Sequence, residues 1–497
     1  MNLWAGIASG RRNACVALCT PDQVLGICEQ ERITRVPGAG VNSSGLPDEA
    51  LDELLSRAGR GRRDLAGFAL AEHGAGPARP DTLRIDHHFA HACAAFLPSR
   101  FDAARIVICD HEAPHVSVWD GRGTSVTRVE WPWHGIGFAE LYSQCADVLG
   151  FSGAGGEQRM EALARLDPSA RDERIERLFG LADDRLVIAP DWQARVESWI
   201  GAGAPRERLA AIASALESRI GDLLVAFIRR IAADSPARRL CVGGSVFYHS
   251  DFNSRVKLSG AFDEVFVPIN PGNAGLALGT AMHANPDVRR PVGPFLGPSY
   301  TAEEIKPTLD NCKLTYDWAS ESETVGRAVD ALKKGQLVAW FDGGMEWGPR
   351  ALGARSILAN PFSPYMLENL NRFLKHRDPW RGYAVSVLES AAAEHFDGPR
   401  DSPFMECDYT PKDRRRFSHV LPGEQAALRV QTVGQDALPR FRSLLRAFGE
   451  AVGIPVLVNT SFNGFREPIV CTPRDAIRVF YGTGVDMLVF PQFVIRK

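Results

Sequence analysis

Apolar and polar residues alternate in short blocks at the start of the chain and predict three strands there. Three apolar segments, LWAGIAS, ACVALC and QVLGICEQE, lie within residues 2–35 and are separated by the turns GRRN and Pro21-Asp22. The same order of strand, loop, strand, turn and strand recurs over residues 105–131, as RIVICD, HEAPH, VSVWDG and TSVTRVEW. The recurrence predicts a structural unit that occurs twice.

The rest of the chain mixes helical and extended patterns. Apolar residues recur at helical spacing from Glu207 to Ala233, just before a short apolar strand and the pair Gly243-Gly244. Prolines concentrate between about residues 285 and 320, where the periodicity fades. We therefore predict two α/β domains, residues 1–320 and 321–497. Six elements are predicted in the second: helices over 323–334 and 439–452, a helix capped by Thr472-Pro473, and strands over 336–341, 454–459 and 486–490, the last of which closes the chain.

The repeated three-strand opening resembles the actin-like or sugar-kinase-like ATPase fold. In that fold each half begins with three strands, and the first turn of each half is available to hold a phosphate. A helix, a strand and a glycine pair in succession commonly border a nucleotide site. Two unrelated meanders are the alternative, because short strands are weakly specified by a single sequence.

Composition limits the classes of function that remain. The chain has 497 residues, 45% of them hydrophobic, and a formal net charge of −3, so we expect no nucleic-acid partner held by overall charge. Its 10 cysteines include no CxxC pair and are expected to be reduced and buried. There is no run of about 18 apolar residues, and the N-terminus is unlike a signal peptide. We expect a cytoplasmic protein without a membrane partner.

Two histidines suggest half of a metal site. His87 and His91 stand four residues apart in DHHFAH, so on a helix their imidazoles share one face while His88 points elsewhere. A hydrogen-bonded pair of surface histidines is the alternative. Asp110, at the end of the next predicted strand, is a plausible third ligand. Three residues of the following loop could ligate instead: His111, Glu112 and His115.

A glycine-rich segment is a candidate nucleotide site. Residues 267–280 place Gly272, Asn273 and Gly275 before a helix of small residues, where the backbone can approach a phosphate closely. Gly243 and Gly244 are candidates for the same nucleotide. A tight turn that packs a helix explains glycines in this pattern equally well.

Cations in the second domain form a candidate anion site. Arg350 and Arg355 lie on a loop punctuated by glycine and proline, and arginine grips phosphate through planar, paired donors. A solvated charged face is the alternative, but each cation stands beside apolar or turn residues rather than in a run of charges. The remaining members of the predicted site are Lys375, Arg377, Arg381, Arg429, Ser461 and Asn463.

Six segments together resemble the O-carbamoyltransferase family, which includes the tobramycin, cephamycin and nodulation-factor enzymes. The resemblance spans nearly the whole chain and is strongest over residues 338–490, where GPRALGARSIL and NTSFN occur together. The segments are DHHFAH, VPINPGNAGLALG, GGMEWGPRALGARSIL, LKHRDPWRGYA, LRVQTV and VNTSFNGFREPIVCTP.

The resemblance implies a two-step enzyme. Its C-terminal domain would be similar to the YrdC-like threonylcarbamoyl-AMP synthase and would form carbamoyl adenylate from carbamoyl phosphate and ATP, which is accompanied by Mg²⁺. Its kinase-like N-terminal domain would transfer the carbamoyl group to a hydroxyl of a small natural product, with Fe²⁺ as the suspected metal on His87, His91 and Asp110. Arg350, Lys375, Arg381, Arg429 and Ser461 would bind the donor and nucleotide. His88 or His111 is the hypothetical base.

Departures from the family pattern leave other interpretations open. Asn273 stands where the family often has Asp, and Arg12 replaces a histidine of the first turn, so a nucleotide-binding regulator without transfer activity is one alternative. A tRNA threonylcarbamoyl-type modification enzyme is another. The acceptor, the complete metal ligand set and the oligomeric state stay open, with a homodimer as one option.

Overall fold

A computed structural model describes residues 2–71, 81–288 and 290–497. Its first sheet contains five strands: β1 (Leu3–Ala8), β2 (Cys15–Cys19), β3 (Val24–Glu29), β4 (Leu65–Ala71) and β5 (Thr82–Ile85). The order across the sheet is β3-β2-β1-β4-β5, with β1 to β3 antiparallel and β4 and β5 parallel to β1. Three helices accompany it: α1 (Gln30–Thr34), α2 (Asp48–Arg57) and α3 (His87–Phe96).

A second sheet repeats this topology. Seven strands follow in the chain: β6 (Ala103–Cys109), β7 (Val116–Arg122), β8 (Ser125–Val129), β9 (Phe179–Ala182), β10 (Arg185–Ile188), β11 (Arg239–Gly243) and β12 (Glu264–Phe266). β9 and β10 form a separate hairpin, and the other five have the order β8-β7-β6-β11-β12. Again three antiparallel strands are continued by two parallel ones. The duplicated actin-like fold predicted from the repeated openings is confirmed.

Helices cover and connect the two sheets. The amphipathic segment predicted to begin at Glu207 is one long helix whose apolar residues, among them Leu216 and Ile220, lie in the largest core cluster of this half. The helix at residues 276–284 packs tightly on β1: the contact is so close that a Cβ at Gly6 would collide with the backbone carbonyl of Ala277. The helices are α4 (Phe138–Val148), α5 (Gly156–Ala164), α6 (Glu173–Glu176), α7 (Trp192–Ile200), α8 (Arg206–Ala233), α9 (Ser250–Leu258) and α10 (Leu276–Ala284).

The C-terminal part is built on one ten-stranded mixed sheet. Its strands are β13 (Asp317–Trp318), β14 (Val338–Phe341), β15 (Arg355–Ala359), β16 (Val385–Leu388), β17 (Phe396–Asp397), β18 (Cys407–Pro411), β19 (Leu428–Val433), β20 (Val456–Ser461), β21 (Met487–Val489) and β22 (Phe493–Arg496). Their order is β13-β22-β21-β14-β15-β20-β16-β19-β18-β17. The prediction that the chain closes on the strand at 486–490 is wrong, because β22 turns back and pairs with β21.

Six helices flank this sheet: α11 (Ala302–Asn311), α12 (Glu321–Lys333), α13 (Met366–Glu368), α14 (Glu389–His395), α15 (Pro439–Val452) and α16 (Pro473–Tyr481). The predicted cap of α16 is present, since the Thr472 hydroxyl accepts a hydrogen bond from the Asp475 amide at 3.1 Å and the Asp475 carboxylate accepts one from the Thr472 amide at 2.9 Å. α15 has the predicted bounds, and Gly453 ends it in the left-handed conformation.

The core of the C-terminal part begins earlier in the chain than residue 320. Ile305 and Leu309 of α11 are fully buried in the same apolar cluster as residues of β16 and β20. Trp318 of β13 pairs with Phe493 of β22. The predicted boundary at 320 therefore cuts through a packed unit, because the proline-rich stretch that suggested it includes Pro307, which lies inside α11.

The two parts of the chain are joined through α1 and its neighbours. The Gly348 amide donates to the Glu29 carboxylate at 2.6 Å, and Arg32 donates to the Gly348 carbonyl at 2.8 Å. Arg35 donates to the carbonyls of Pro468 and Ile469 at 2.7 and 2.6 Å. These bonds hold the arginine loop of the C-terminal part against the first sheet. No helix in the described ranges is both long and apolar enough to cross a membrane.

Candidate active site

Two histidines of α3 and one aspartate after β6 form a buried cluster of potential metal ligands. The ligand atoms of His87, His91 and Asp110 all lie within 4.8 Å of one another. His87 Nε2 is 3.0 Å and His91 Nε2 is 3.6 Å from the same carboxylate oxygen of Asp110. The His91 nitrogen is buried and has no hydrogen-bond partner among the described residues. Two imidazoles and a carboxylate aimed at one point fit a divalent transition metal.

The predicted helix is present, and both histidines lie on it, four residues apart. α3 begins at His87, because the Asp86 carboxylate caps it by accepting a hydrogen bond from the Phe89 amide at 2.8 Å. Within the described ranges, His87, His91 and Asp110 are the one group of three or more such side chains that could hold a metal. The alternative ligands His111, Glu112 and His115 lie outside it.

The carboxylate of Asp110 is held in place from the other side by Ser245. Its Oδ1 accepts hydrogen bonds from the Ser245 amide at 3.1 Å and hydroxyl at 3.0 Å. Burial acts to raise the pKa of Asp110, but His91 and His87 outweigh it and hold the pKa well below its usual range. The carboxylate is thus ionised and oriented, as a metal ligand must be.

His88 does not support the predicted role of a base. Both of its ring nitrogens are engaged, Nε2 with the Glu112 carbonyl at 2.9 Å and Nδ1 with the Ser117 hydroxyl at 2.7 Å. Burial lowers its pKa to about 4, so the ring is neutral. A carbonyl can only accept, so Nε2 carries the proton and Nδ1 accepts from Ser117. Because the ring is also buried, out of reach of a substrate, His88 serves to position the loop after β6.

His111, the other predicted base, faces a large cavity. The cavity has a volume of about 520 Å³, and His111 lies on its wall beside Ser143 and Ser245. Its Nε2 is 2.8 Å from the Ser143 hydroxyl and its Nδ1 is 2.9 Å from the Ser245 hydroxyl. Ser143 in turn donates to Glu157 at 2.7 Å. A proton that reaches His111 therefore has a hydrogen-bonded route to a carboxylate.

The predicted nucleotide-site glycines support this cavity rather than line it. Gly244 has φ +96°, and a Cβ there would collide with the backbone of Cys109, so it allows β11 to approach the end of β6. Gly275 and Gly272 are closed in by Asn270 and Tyr248 in the same way, and Gly243 by Ile108. Their neighbours Ser245, Val246, Asn270 and Ala274 are the cavity-lining residues, and Asn273 is solvent-exposed.

The two arginines of the GPRALGARSIL loop have different environments. Arg350 lies on the wall of the 520 Å³ cavity, where it donates a hydrogen bond to the Tyr248 carbonyl at 3.1 Å. Arg355 is fully buried, stacks on Phe341 at 3.5 Å and donates to the carbonyls of Asp342 and Pro298 at 2.8 and 3.0 Å. The prediction that Arg355 binds the donor is wrong, because its guanidinium is committed to the backbone that shapes the loop.

Lys375, Ser461 and Asn463 form a compact group at the end of β20. The Lys375 ammonium donates to the Ser461 carbonyl at 2.6 Å, the Asn463 carbonyl at 3.2 Å and the Asn463 side-chain oxygen. Burial and the nearby charge of Arg377 lower the pKa of Lys375 to about 7. Among the described residues no carboxylate forms an ion pair with this lysine, which is the arrangement expected where an anion binds.

The remaining predicted cations continue from this group toward the large cavity. Arg377 stacks on Tyr383 at 3.9 Å, and Arg381 and Arg429 line a second cavity of about 80 Å³. Burial lowers the pKa of Arg377 to about 10 and, with Arg429, that of Arg350 to about 9. Burial is the main cause of these lowered pKa values, and the nearby arginines add to it, so the cations lie close to one another in poorly solvated positions.

The sequence analysis did not identify two functional residues, Glu161 of α5 and Arg165 at the C-terminal end of that helix. Glu161 accepts from Arg429 at 2.8 Å and from Arg165 at 2.7 Å, and it lies on the walls of both cavities. Arg165 also pairs with Asp408 at 2.6 Å. A Glu and an Arg at positions i and i+4 are typical of an exposed helix face. Nothing in the local sequence indicates that this pair is buried against the C-terminal part.

Comparisons with known proteins identify the family of the chain. Two family models match, "Carbamoyltransferase N-terminus" over residues 69–282 and "Carbamoyltransferase C-terminus" over residues 329–497. An uncharacterised protein of Synechocystis is 32% identical over 474 residues, which is 84% of this chain and 77% of that protein. Nodulation protein NolO of Bradyrhizobium diazoefficiens is 30% identical over 443 residues, 83% of this chain and 79% of its own.

A shorter match is nodulation protein U of the same organism, 31% identical over 234 residues, 46% of this chain and 39% of that protein. Among solved structures, full-length HypF in its phosphate- and nucleotide-bound form covers 57% of this chain and 46% of its own, with 14% identity and a TM-score of 0.42. The duplicated actin-like fold is assigned from the strand orders of the two N-terminal sheets and not from this structural match. By its two family models and its relatives of near-full coverage, the chain belongs to the carbamoyltransferase family.

Proposed function

We propose that this carbamoyltransferase works in two ATP-dependent steps. Carbamoyl phosphate, ATP and water first give carbamoyl adenylate, pyrophosphate and phosphate. A hydroxyl of a small natural product then takes the carbamoyl group and AMP leaves. In this proposal the C-terminal part, from α11 onward, forms the adenylate and the residues before α11 transfer the group.

The observation that carries this proposal is a series of cations that leads from Lys375 through the small cavity to the large one. Lys375, Arg377, Arg381, Arg429 and Arg350 come from three separate segments, and each is coupled electrostatically to a neighbour in the series or to the shared partner Glu161. Carbamoyl phosphate and the triphosphate of ATP, which Mg²⁺ would accompany, are strongly negative. Their reaction needs charge neutralisation and alignment more than a protein nucleophile.

In the small cavity, Arg381 and Arg429 are placed to bind the phosphate oxygens. Lys375, with Ser461 and Asn463, supplies a second cationic point at the end of β20. We assign Arg377 to the same pocket, where Tyr383 holds its guanidinium plane. Fixed cations of this kind stabilise charge that develops at phosphorus without reorganising during the reaction.

The large cavity supports the second step. Its volume of about 520 Å³ is sufficient for a small-molecule acceptor, and the His111 side is adjacent to the ligand cluster. His87, His91 and Asp110 would hold the divalent metal, iron by resemblance to the family, whose Lewis acidity would polarise the carbamoyl carbonyl. An acceptor hydroxyl that replaces Ser245 at Nδ1 of His111 would give its proton to that nitrogen, while Nε2 passes its own proton through Ser143 toward Glu157.

The proposed function is tested by following the nucleotide. The purified protein is incubated with carbamoyl phosphate, ATP, Mg²⁺ and a panel of hydroxylated natural products, and the products are identified by mass. We expect AMP and pyrophosphate in equal amounts, together with an acceptor that is heavier by one carbamoyl group. Release of ADP, or of AMP without dependence on carbamoyl phosphate, would contradict the proposal. His111→Gln should retain pyrophosphate formation and lose the carbamoylated product.

A further inference from the structure

One carboxylate occupies the point where the two cavities meet. Glu161 of α5 lies on the wall of the 520 Å³ cavity and of the 80 Å³ cavity. Its Oε1 accepts hydrogen bonds from Arg429 at 2.8 Å, from Arg165 at 2.7 Å and from Ser250 at 3.2 Å. Arg429 comes from β19 of the C-terminal sheet, so this contact also joins the two parts of the chain.

Glu161 is surrounded by more positive charge than it can neutralise. Arg350 and Arg381 act electrostatically on the same group, in addition to the two arginines that bond it. Burial would raise the pKa of Glu161, but Arg429 and Arg165 outweigh burial and hold it well below its usual range. The carboxylate therefore stays ionised and sits where a phosphate group would bind these arginines.

The edge of the Arg429 guanidinium that carries Nε and Nη2 is held by Ser250 and Glu161. The Arg429 guanidinium donates through Nε to Ser250 at 3.0 Å and through a terminal nitrogen to Glu161. Arginine binds phosphate best through two parallel donors. A dianion that binds this edge through two donors must replace the Glu161 carboxylate, and the 520 Å³ cavity offers room for the released side chain.

We propose that Glu161 is a displaceable internal counter-ion that occupies the cationic site when no substrate anion is bound and partitions the two cavities. Binding of a phosphate-bearing ligand releases it and joins the cavities, so that the C-terminal pocket opens toward the transfer cavity when the pocket is filled. The identity of that ligand as carbamoyl phosphate or its adenylate rests on the proposed function. The counter-ion role itself requires only an anion.

The test compares the binding of inorganic pyrophosphate to the intact protein and to Glu161→Gln by calorimetry. Removal of the competing charge should tighten binding by about tenfold, the size expected for one charge-assisted hydrogen bond. Glu161→Asp should restore most of the wild-type affinity. Glu406→Gln is the matched control, since Glu406 is equally buried in an ion pair between the two parts, with Lys257 at 2.9 Å, but lines neither cavity.

A structural role for Glu161 predicts the opposite result. If Glu161 only orients Arg429, Glu161→Gln binds pyrophosphate no more tightly than the wild type, and the proposal is overturned. Absence of pyrophosphate binding in both proteins overturns it as well. Neither binding measurement needs turnover. The nucleotide assay of the wild type therefore tests the proposed function separately, and either test can fail without the other.

A crystal structure of the wild type with pyrophosphate avoids dependence on the folding of the variant. We expect an anion oxygen beside Arg429 in place of the Glu161 carboxylate, with the Arg429–Glu161 distance grown well beyond its present 2.8 Å. An anion bound by the neighbouring arginines with this pair still intact would overturn the proposal.

Discussion

The ammonium of Lys375 lies 2.6 Å from the carbonyl oxygen of Ser461, although the two residues stand 86 positions apart in the sequence. Among the groups that contact this ammonium are carbonyl and amide oxygens of Ser461 and Asn463, all of them uncharged. A lysine without a counter-ion in a cleft is costly unless an anion arrives. Three predictions about the site and one about the fold follow from contacts of this kind.

Lys375 should make anion binding depend on pH. Its pKa of about 7 means that the free site loses a proton as the pH rises through 7, so an anion must then bind together with a proton. Affinity for sulfate, whose own charge is constant, should therefore fall by up to about tenfold per unit above about pH 7. In Lys375→Met binding should be weaker and insensitive to pH over this range. Calorimetry between about pH 6 and 9 measures both, and a flat wild-type profile would refute the assignment.

Replacing Arg355 should mainly lower stability, whereas replacing Arg350 should mainly lower activity. Arg355→Met strips donors from several buried carbonyls, so we expect a loss of about 2–4 kcal/mol in the free energy of unfolding. Arg350→Met removes one hydrogen bond from a cavity wall and should lower stability by less than about 1 kcal/mol while abolishing pyrophosphate formation. Urea unfolding and the nucleotide assay distinguish the two, and equal destabilisation would contradict the division of roles.

His91 should be required for metal and for transfer but not for adenylate formation. His91→Asn removes one of three buried ligands, so metal content measured by mass spectrometry should fall to a small fraction of the wild type. Pyrophosphate formation, which depends on the other cavity, should change less than about twofold. His283→Asn is a control on α10, because His283 contacts Phe89 and lies outside the ligand cluster. Retention of metal by His91→Asn would exclude the assigned site.

Gly244 should tolerate no side chain. It has φ +96°, and a Cβ would meet the Cys109 backbone immediately before Asp110, so Gly244→Ala should cost about 3 kcal/mol or more of stability and disturb the metal site. Gly326→Ala is the control: this glycine lies in α12 with no atom within 4 Å of a built Cβ, and the change should stabilise by about 0.5–1 kcal/mol. Thermal unfolding and metal content measure both effects.

Local signals in the sequence were sufficient where neighbouring residues decide the structure. Helical spacing placed His87 and His91 on one face, the end of a strand placed Asp110 opposite them, and Thr472 with Pro473 fixed the start of α16. The repeated strand openings gave the duplicated fold. These features depend on contacts within one or two elements, which periodicity and caps encode.

The sequence by itself thus determined the family, the fold of the N-terminal half and which residue types can bind metal or phosphate. Only the tertiary structure decided how those side chains are used: Arg355 is consumed by backbone carbonyls, His88 by Glu112 and Ser117, and Glu161 faces Arg429 from a helix 268 residues away. The physical reason is that hydrogen-bond partners and burial are set by which elements pack together over long sequence separations. No local pattern of charge or hydrophobicity carries that information.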